Sequence, residues 1–462
     1  MTEEAEEALD SRLRSAVRAG DAEAVRVLLE EGADPNTLDT GGGTDADALP
    51  VLCVAVAAYD QAVAEALVEG GADPDRVLPD GTTPLWRAVD GGSPAVFSAV
   101  LGKEPRLRMQ EEARERLLTL ARGWYETGAA EGLRRRVGGS EPVVTVRVQD
   151  DEYTWVERMS LGGLAVRAGH GAVLTELEWA FRVLTPVDEL IGRAVDPPDD
   201  EHVNWSTVCW ILVQRRSFET WAAVVAHRHD SDRVHRRFVL DYLRSRSFMY
   251  NSDPVDEQRD SDFLAAWAAE ETDSGMLAKL LDAYTGYTHR DQETIGLRYA
   301  DHPDPRVRRE VPYALSTHGV PLPPLTPLAR AGLLTLMRDP DAQVRVGACG
   351  VGMRDDSLLP EIGQALLLLV EDPHADAWHT AVETLAGSRI RTPAVSDALA
   401  ALLDHDDQLV RLEAAYGLAV RDDPRTEEAI GRVGPLGAGF EHDHRVSAFY
   451  WWQVRKANPT DA

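Results

Sequence analysis

The chain has 462 residues, 44% of them hydrophobic, and its 48 basic and 78 acidic side chains give a formal net charge of −30. The length suits roughly three domains, and the hydrophobic content is sufficient for buried cores. So acidic a surface disfavours nucleic acid and anionic membranes as partners, because binding to either relies on Lys and Arg. The charge would attract a partner protein with a basic surface, or it serves only to keep a long chain soluble and monomeric.

The cysteines and the N-terminus indicate the compartment. Cys53, Cys209 and Cys349 lie far apart and form no CxxC pair, which argues against a zinc site or a disulfide framework and favours a reducing environment. The first ten residues, MTEEAEEALD, lack the basic residues of a secretion signal. The longest apolar run, Ala365–Val370, is far shorter than the ~20 residues that span a bilayer. We therefore expect a cytoplasmic protein.

Three related segments follow one another at 16–36, 55–75 and 80–101. In the first, Ala24, Val25, Leu28 and Leu29 lie on one helical stripe. Gly32 predicts the end of that helix, and the Asp-Pro pair that follows cannot continue it. In the third segment a tight turn leads into a short helix whose first turn tolerates proline. The pattern predicts short helical hairpins.

These segments resemble ankyrin repeats. The resemblance rests on GADPN at Gly32–Asn36, GADPD at Gly71–Asp75 and GTTPLWRAV at Gly81–Val89. The second unit departs from the pattern by a Gly-rich insert at 40–44, and the third has Trp86 where the family usually has His. The resemblance implies a binding platform over residues 1–140, with three clear repeats and a divergent fourth at 111–137. Trp86 and Arg87, on the short helix, are the candidate binding residues here.

A joint over residues 141–186 separates this array from the rest. The β-branched run Val143–Val148 and the segment Tyr153–Val156 predict a β-hairpin, and the pattern over Leu161–Val183 predicts a return to helix. The joint would either cap the apolar end of the first array or offer a docking strand to a partner.

The last third of the chain repeats one local pattern. Asp339-Pro340, Asp372-Pro373 and Asp404-His405 each end an apolar stretch, and an apolar residue soon opens a new helical pattern. We call the apolar residue that begins each new pattern its opener. Successive openers are thirty-three to thirty-seven residues apart, which is typical of stacked helical repeats. Asp at these turns is expected to cap the next helix. The openers are Val307, Val344, Ala377 and Val410; four residues on stand Val311, Ala348, Ala381 and Ala414, and eight on stand Leu315, Gly352, Leu385 and Leu418.

This array is similar to HEAT repeats, in the bacterial form called lyase-type HEAT-like repeats. The family's Asp-Pro turn and Val-Arg pair stand here as Asp339-Pro340 and Val344-Arg345, and Val-Arg recurs at two other openers. Trp378 and Ser447 replace the Arg in two units, so an Asp–Arg ladder between repeats is expected to break there. The resemblance implies HEAT-like repeats over 187–458. The predicted fold is therefore mostly α, with two tandem α-solenoids and a small β-hairpin element between them.

Candidate binding residues of this array follow from helical spacing. Positions two and six after each opener are expected to face away from the core columns, on the helix that lines the inner curve in the family. They are Arg309, Tyr313, Val346, Gly350, His379, Glu383, Leu412 and Tyr416.

Motifs for catalysis or cofactor binding are absent from the sequence. There is no HExxH, no Walker A loop and no glycine fingerprint after a strand. The pairs His227-x-His229 and His442-x-His444 are predicted to be solvated surface. The aromatic run Phe449–Trp452 either seals the last repeat or anchors a partner. We expect no cofactor, no metal and no enzymatic activity.

Three hypotheses on function follow. The first is a non-catalytic scaffold for protein–protein interaction through concave solenoid surfaces. The second narrows it to an acidic, antitoxin-like or immunity-type inhibitor of a basic toxin or nuclease, with salt-sensitive binding. The third is a HEAT-like DNA-repair enzyme, which the strong negative charge disfavours.

Overall fold

The computed structural model describes residues 3–40, 48–138, 141–197, 199–249, 254–316, 323–371, 376–437, 439–440 and 442–457. The chain divides into two compact units, 1–246 and 247–462. Over the described ranges it forms 26 α-helices and two small antiparallel sheets, so the predicted mostly-α class with a small β element is confirmed.

The elements that begin in the first unit are, in chain order, α1 (Glu3–Ala19), α2 (Ala22–Glu30), β1 (Leu38–Asp39), β2 (Leu49–Pro50), α3 (Val51–Ala58), α4 (Gln61–Glu69), α5 (Pro84–Gly91), α6 (Pro94–Leu101), α7 (Pro105–Arg108), α8 (Glu111–Thr127), α9 (Ala129–Val137), β3 (Val144–Gln149), β4 (Trp155–Leu161), β5 (Leu164–Arg167), α10 (His170–Ala180), α11 (Val187–Val195), α12 (Val203–Gln214), α13 (Phe218–Ala226) and α14 (Arg233–Met249). The Gly-rich insert of the second segment falls largely on 41–47, outside the described residues.

The first six helices form three helical hairpins. Each hairpin's second helix is capped by the residue type that sequence reasoning favours: Asp21 accepts a hydrogen bond from the Ala24 amide, and Asp60 from the Val63 amide. Hydrogen bonds also join successive hairpin loops, since the Asn36 side chain accepts from the Asp73 amide. The apolar stripes of these helices pack together in one core.

The predicted β-hairpin is present and gains a third strand. Strands β3, β4 and β5 form an antiparallel sheet in that order. The prediction that 161–183 is helical was wrong for its first part, because β5 lies there and α10 begins only at His170. The reason is the pair Gly162-Gly163, whose φ angles of 58° and 83° suit a two-residue hairpin turn between β4 and β5.

A buried carboxylate attaches the sheet to the third helical hairpin. Asp150 accepts hydrogen bonds from the Ser93 hydroxyl at 2.6 Å, the Ala95 amide at 2.8 Å and the Arg167 guanidinium at 2.6 Å. The first two donors lie at the N-terminus of α6, where a negative charge is stabilised by unpaired amides. The turn after β3 is thereby fixed to α6.

In the second unit the helices alternate between two layers. The helices are α15 (Pro254–Glu270), α16 (Ser274–Thr285), α17 (Gln292–Arg298), α18 (Pro305–Ala314), α19 (Pro327–Leu336), α20 (Ala342–Gly352), α21 (Leu359–Val370), α22 (Trp378–Gly387), α23 (Pro393–Leu402), α24 (Gln408–Ala419), α25 (Thr426–Val433) and α26 (His444–Ala457). The even-numbered helices α16 to α26 pack side by side in sequence. Each odd-numbered helix from α15 to α23 packs against the even-numbered helix that follows it, and α25 packs against α24.

The columns predicted from the repeat spacing are buried. All four openers and the residues four and eight positions after them lie in the interior of the second unit, where small side chains such as Ala348 and Ala381 let neighbouring helices approach. The predicted caps were wrong for Asp339 and Asp404: Asp341 and Asp407 cap α20 and α24 instead. Asp339 accepts from the Asp341 amide, which forms the turn before the cap. Asp372 lies outside the described residues.

Candidate functional site

The stacked helices α18, α22 and α24 carry the residues predicted to bind a partner in the second unit. Tyr313, His379 and Glu383 are exposed, and Tyr416 is half-buried. Arg309 is held in place by Asp341 of the next hairpin, through hydrogen bonds of 3.0 and 2.7 Å. All five residues lie on even-numbered helices, which form one layer of the second unit.

Two of the other residues at these positions do not reach solvent. Val346 on α20 and Leu412 on α24 are 4% and 0% exposed, whereas Gly350 is exposed. The expectation that position two always faces outward was wrong, because the neighbouring helices of the stack cover that side of α20 and α24. The solvent-exposed surface of α20 and α24 is therefore narrower than their helical spacing alone predicts.

The same stack holds partly buried carboxylates. Burial raises the pKa of Glu310 to about 7, and the nearby Asp282 carboxylate adds to the rise. Burial also raises the pKa of Glu413, although Arg445 donates to it at 2.9 Å. The ring of Tyr416 contacts that of His444 edge to face, with centroids 5.3 Å apart. This face thus combines aromatic rings with carboxylates held in a poorly solvated setting.

The Arg of each Val-Arg pair has a structural task that the sequence did not reveal. Arg308, Arg345 and Arg411 each donate to the carbonyl oxygens six and five residues earlier, in their own interhelical turn. These bonds satisfy carbonyl groups of the turn itself. The Arg of this motif therefore stabilises the interhelical turns.

In the first unit Trp86 and Arg87 lie in a groove of about 790 Å³. One wall consists of helices α3 and α5, and the other of α9 with strands β4 and β5. Tyr59 bridges the walls, because its hydroxyl lies 3.1 Å from the Gly91 carbonyl oxygen and 3.2 Å from that of Ala165. We call this space the hairpin–sheet groove.

Four guanidinium groups and two carboxylates line the hairpin–sheet groove. Arg87 is paired with Asp80 at 2.9 Å, and Arg136 binds Asp90 through two hydrogen bonds. The remaining two guanidinium groups lie on β4 and β5. The sequence did not predict them, because its pattern does not indicate which face of the strands packs against the helical hairpins. They belong to Arg158 and Arg167.

The histidine pairs and the terminal aromatic run are surface or packing features. His227 pairs with Asp188 at 3.1 Å, and His442 and His444 are exposed. Over the described ranges, no cluster of three His, Cys, Asp or Glu side chains is placed to hold a metal ion. Phe449 and Trp452 are buried, whereas Tyr450 and Trp451 are exposed. No helix of the described part combines the length and apolarity needed to cross a bilayer.

Comparison with known proteins supports the N-terminal interpretation. The ankyrin repeat family model matches residues 13–110 as three copies, so the three predicted ankyrin repeats are confirmed, and repeats of this family suggest protein–protein interaction. The chain is also similar to the solved X-ray structure of YibA from Escherichia coli, with 14% identity, a TM-score of 0.43, and coverage of 58% of this chain and 93% of that one. No curated protein matches the chain.

Proposed function

We propose that the chain is a non-catalytic, cytoplasmic scaffold for protein–protein interaction. In this proposal ankyrin repeats occupy residues 1–140, a joint occupies 141–186 and HEAT-like repeats occupy 187–458. Support for the HEAT-like assignment comes from the layered helices of the second unit, whose buried columns recur with the sequence period. Such repeats act by presenting an extended surface.

The observation that carries the proposal is the face of the stack α18, α22 and α24. Its apolar columns are buried between helices, whereas Tyr313, His379 and Glu383 remain exposed, and Tyr416, which also packs against the core and His444, is half-buried. Aromatic residues are enriched where proteins bind one another, since they bury a large area at low entropic cost. Such residues on three helices of one layer, α18, α22 and α24, suit an extended partner protein.

The test is affinity capture with a matched pair of variants. The face variant combines Tyr313→Ala, His379→Ala, Glu383→Lys and Tyr416→Ala. The control variant carries Leu328→Ala, Glu361→Lys and Leu368→Ala, which lie exposed on the odd-numbered helices α19 and α21. We expect a partner captured by the wild-type chain to be lost by the face variant and kept by the control. Capture by both variants, with unchanged circular dichroism, would contradict the proposal.

A second candidate function is inhibition of a basic protein such as a toxin or nuclease. Glu310 on α18 favours it, because burial and the nearby Asp282 disfavour its negative charge, which a cationic side chain of a partner would stabilise. This candidate predicts that association with the captured partner weakens steeply as salt rises. Binding that is independent of ionic strength would contradict inhibition of a basic protein but would still be compatible with a scaffold.

A further inference from the structure

The hairpin–sheet groove contains two guanidinium groups placed directly opposite one another. Arg158 on β4 and Arg167 on β5 are Cα partners in the antiparallel register. Side chains in such positions are about 5 Å apart at Cβ, and like charges there destabilise the sheet. The arrangement is therefore unfavourable for folding unless both charges are compensated.

Of these two charges, that of Arg167 is the one compensated by a residue in the described part of the chain. Arg167 pairs with the buried Asp150 at 2.6 Å and lies over the Tyr59 ring, with 4.5 Å between the guanidinium carbon and the ring centroid. Arg158 is exposed and makes no ion pair with any residue in the described ranges. The two carboxylates that line the groove, Asp80 and Asp90, are already engaged by Arg87 and Arg136.

The groove thus has the opposite character to the chain as a whole. The full sequence carries a net charge of −30, yet this concave space has more guanidinium groups than carboxylates. Three of the four guanidinium groups are paired, with Asp80, Asp90 and Asp150, so the excess positive charge of the groove lies on Arg158. The half-buried Trp86 adds an aromatic surface to the lining of the groove.

We propose that the hairpin–sheet groove binds an acidic segment of a partner protein, with Arg158 pairing a carboxylate and Trp86 contacting an apolar side chain of the same segment. The inference deepens the proposed scaffold function and rests on it, because it names the chemistry of a partner for the first unit. A carboxylate beside the Arg158 guanidinium can form charge-assisted hydrogen bonds, which are among the strongest in proteins. A polyphosphate chain is disfavoured, because it has a charge at every unit and the whole sequence carries a net charge of −30, whereas a segment with one carboxylate beside an apolar residue needs only one guanidinium.

The test is fluorescence anisotropy on the full chain, with a labelled peptide of alternating glutamate and leucine as probe. Its lysine–leucine counterpart and a polythymidine oligonucleotide are the comparison probes. We expect the glutamate peptide to bind and the other two not to bind. Arg158→Glu should weaken glutamate-peptide binding by about tenfold or more, whereas Arg116→Glu, the same charge change at an exposed position on α8, should leave it unchanged.

A stability measurement separates loss of binding from loss of fold. Arg158→Gln should lower peptide affinity while keeping or raising the melting temperature, because it removes the like-charge pair with Arg167. The inference is overturned if the wild type fails to bind the glutamate peptide, if Arg158→Glu binds it as the wild type does, or if the oligonucleotide binds better. The peptide assay reports on the groove alone, so its failure is distinct from failure of the capture experiment on the second unit.

Discussion

Arg308 on α18 holds Asp339, at the turn of the following hairpin, through two parallel hydrogen bonds of 2.7 and 2.8 Å. The side chains are 11% and 7% exposed, so the pair is shielded from water. Arg309, the next residue, makes the same kind of paired bonds to Asp341, two residues after Asp339. Two adjacent arginines thus join one repeat to the next, which is the Asp–Arg ladder that the Asp-Pro and Val-Arg motifs imply.

Replacing Arg308 with Met should destabilise the second unit. The change leaves the Asp339 carboxylate without its guanidinium in a buried site and removes two bonds to turn carbonyls, so we expect a loss of about 2 kcal/mol in the free energy of unfolding. Urea denaturation followed by tryptophan fluorescence measures it. Arg306→Met is the matched control, since Arg306 is 59% exposed in its pair with Asp304 and should change little. Equal effects of the two variants would contradict the ladder's role.

Arg421 performs a different task, as a buried cation that forms no ion pair with a carboxylate of the described residues. Its guanidinium donates to the carbonyl oxygens of five residues and to the Ser388 hydroxyl, and three of those carbonyls lie at the end of α22 or just after it. A positive charge at a helix C-terminus is favourable, although burial lowers the pKa of Arg421 to about 10. The residue therefore terminates α22 and ties it to α24. The bonded carbonyls belong to Leu385, Ala386, Ser388, Ile390 and Gly417.

We expect Arg421→Met to cost about 3 kcal/mol in the free energy of unfolding, because several buried carbonyls lose their donor at once. Arg421→Lys should recover only part of the loss, since one ammonium has three donors and cannot reach the same set. Hydrogen exchange read by mass spectrometry should show the increase in exchange concentrated at the end of α22. A uniform increase across the second unit would argue against this local role.

The repeat period could be read from the sequence, whereas the surfaces between elements could not. Periodic apolar residues report the interior of each helical hairpin, and for that reason the buried columns at Val344 and Ala381 were predictable. The sequence placed the helix caps at Asp339 and Asp404, a few residues before the actual caps Asp341 and Asp407. An Asp in such a turn can accept a hydrogen bond within the turn or cap the next helix, and the sequence does not distinguish the two. Arg158 escaped notice because its significance depends on strand register, which is set by Gly162-Gly163 and by contacts remote in sequence.

Stability of the second unit should depend on pH through Glu310. Its pKa is raised to about 7 from a reference value of 4.5, so between these values the folded state binds more protons than the unfolded state. Stability must then fall as pH rises across that window. Glu310→Gln removes the cost of burying the charge, and we expect it to raise the free energy of unfolding by about 1 kcal/mol near pH 8, with no gain near pH 4.5.

The control for this pH dependence is Glu270→Gln at the exposed end of α15, which should give the same small change at both pH values. Denaturation curves at several pH values measure the difference between the variants. If Glu310→Gln stabilised the chain equally at low and high pH, the effect would come from packing and the titration of Glu310 would play no part.

Trp378 replaces the Arg of the Val-Arg pair and takes over a related task. Its indole N–H donates to the Val370 carbonyl oxygen at 3.0 Å, at the end of α21. The ring is 4% exposed and stacks on His405, with centroids 5.2 Å apart. In other repeats an arginine donates to carbonyls of the preceding turn, whereas here the indole N–H donates to a carbonyl at the end of α21. Asp372, the next Asp of the ladder, lies outside the described residues.

Trp378→Phe keeps most of the buried ring and removes the donor, so the Val370 carbonyl loses its partner. We expect a loss of about 1 kcal/mol in the free energy of unfolding. Trp451→Phe is the control, because Trp451 is 58% exposed on the last helix and should change stability little. Trp378→Leu should cost more than Trp378→Phe, since it adds a cavity to the lost hydrogen bond. Equal costs for the Phe variants at 378 and 451 would show that the indole N–H has no role in ending α21.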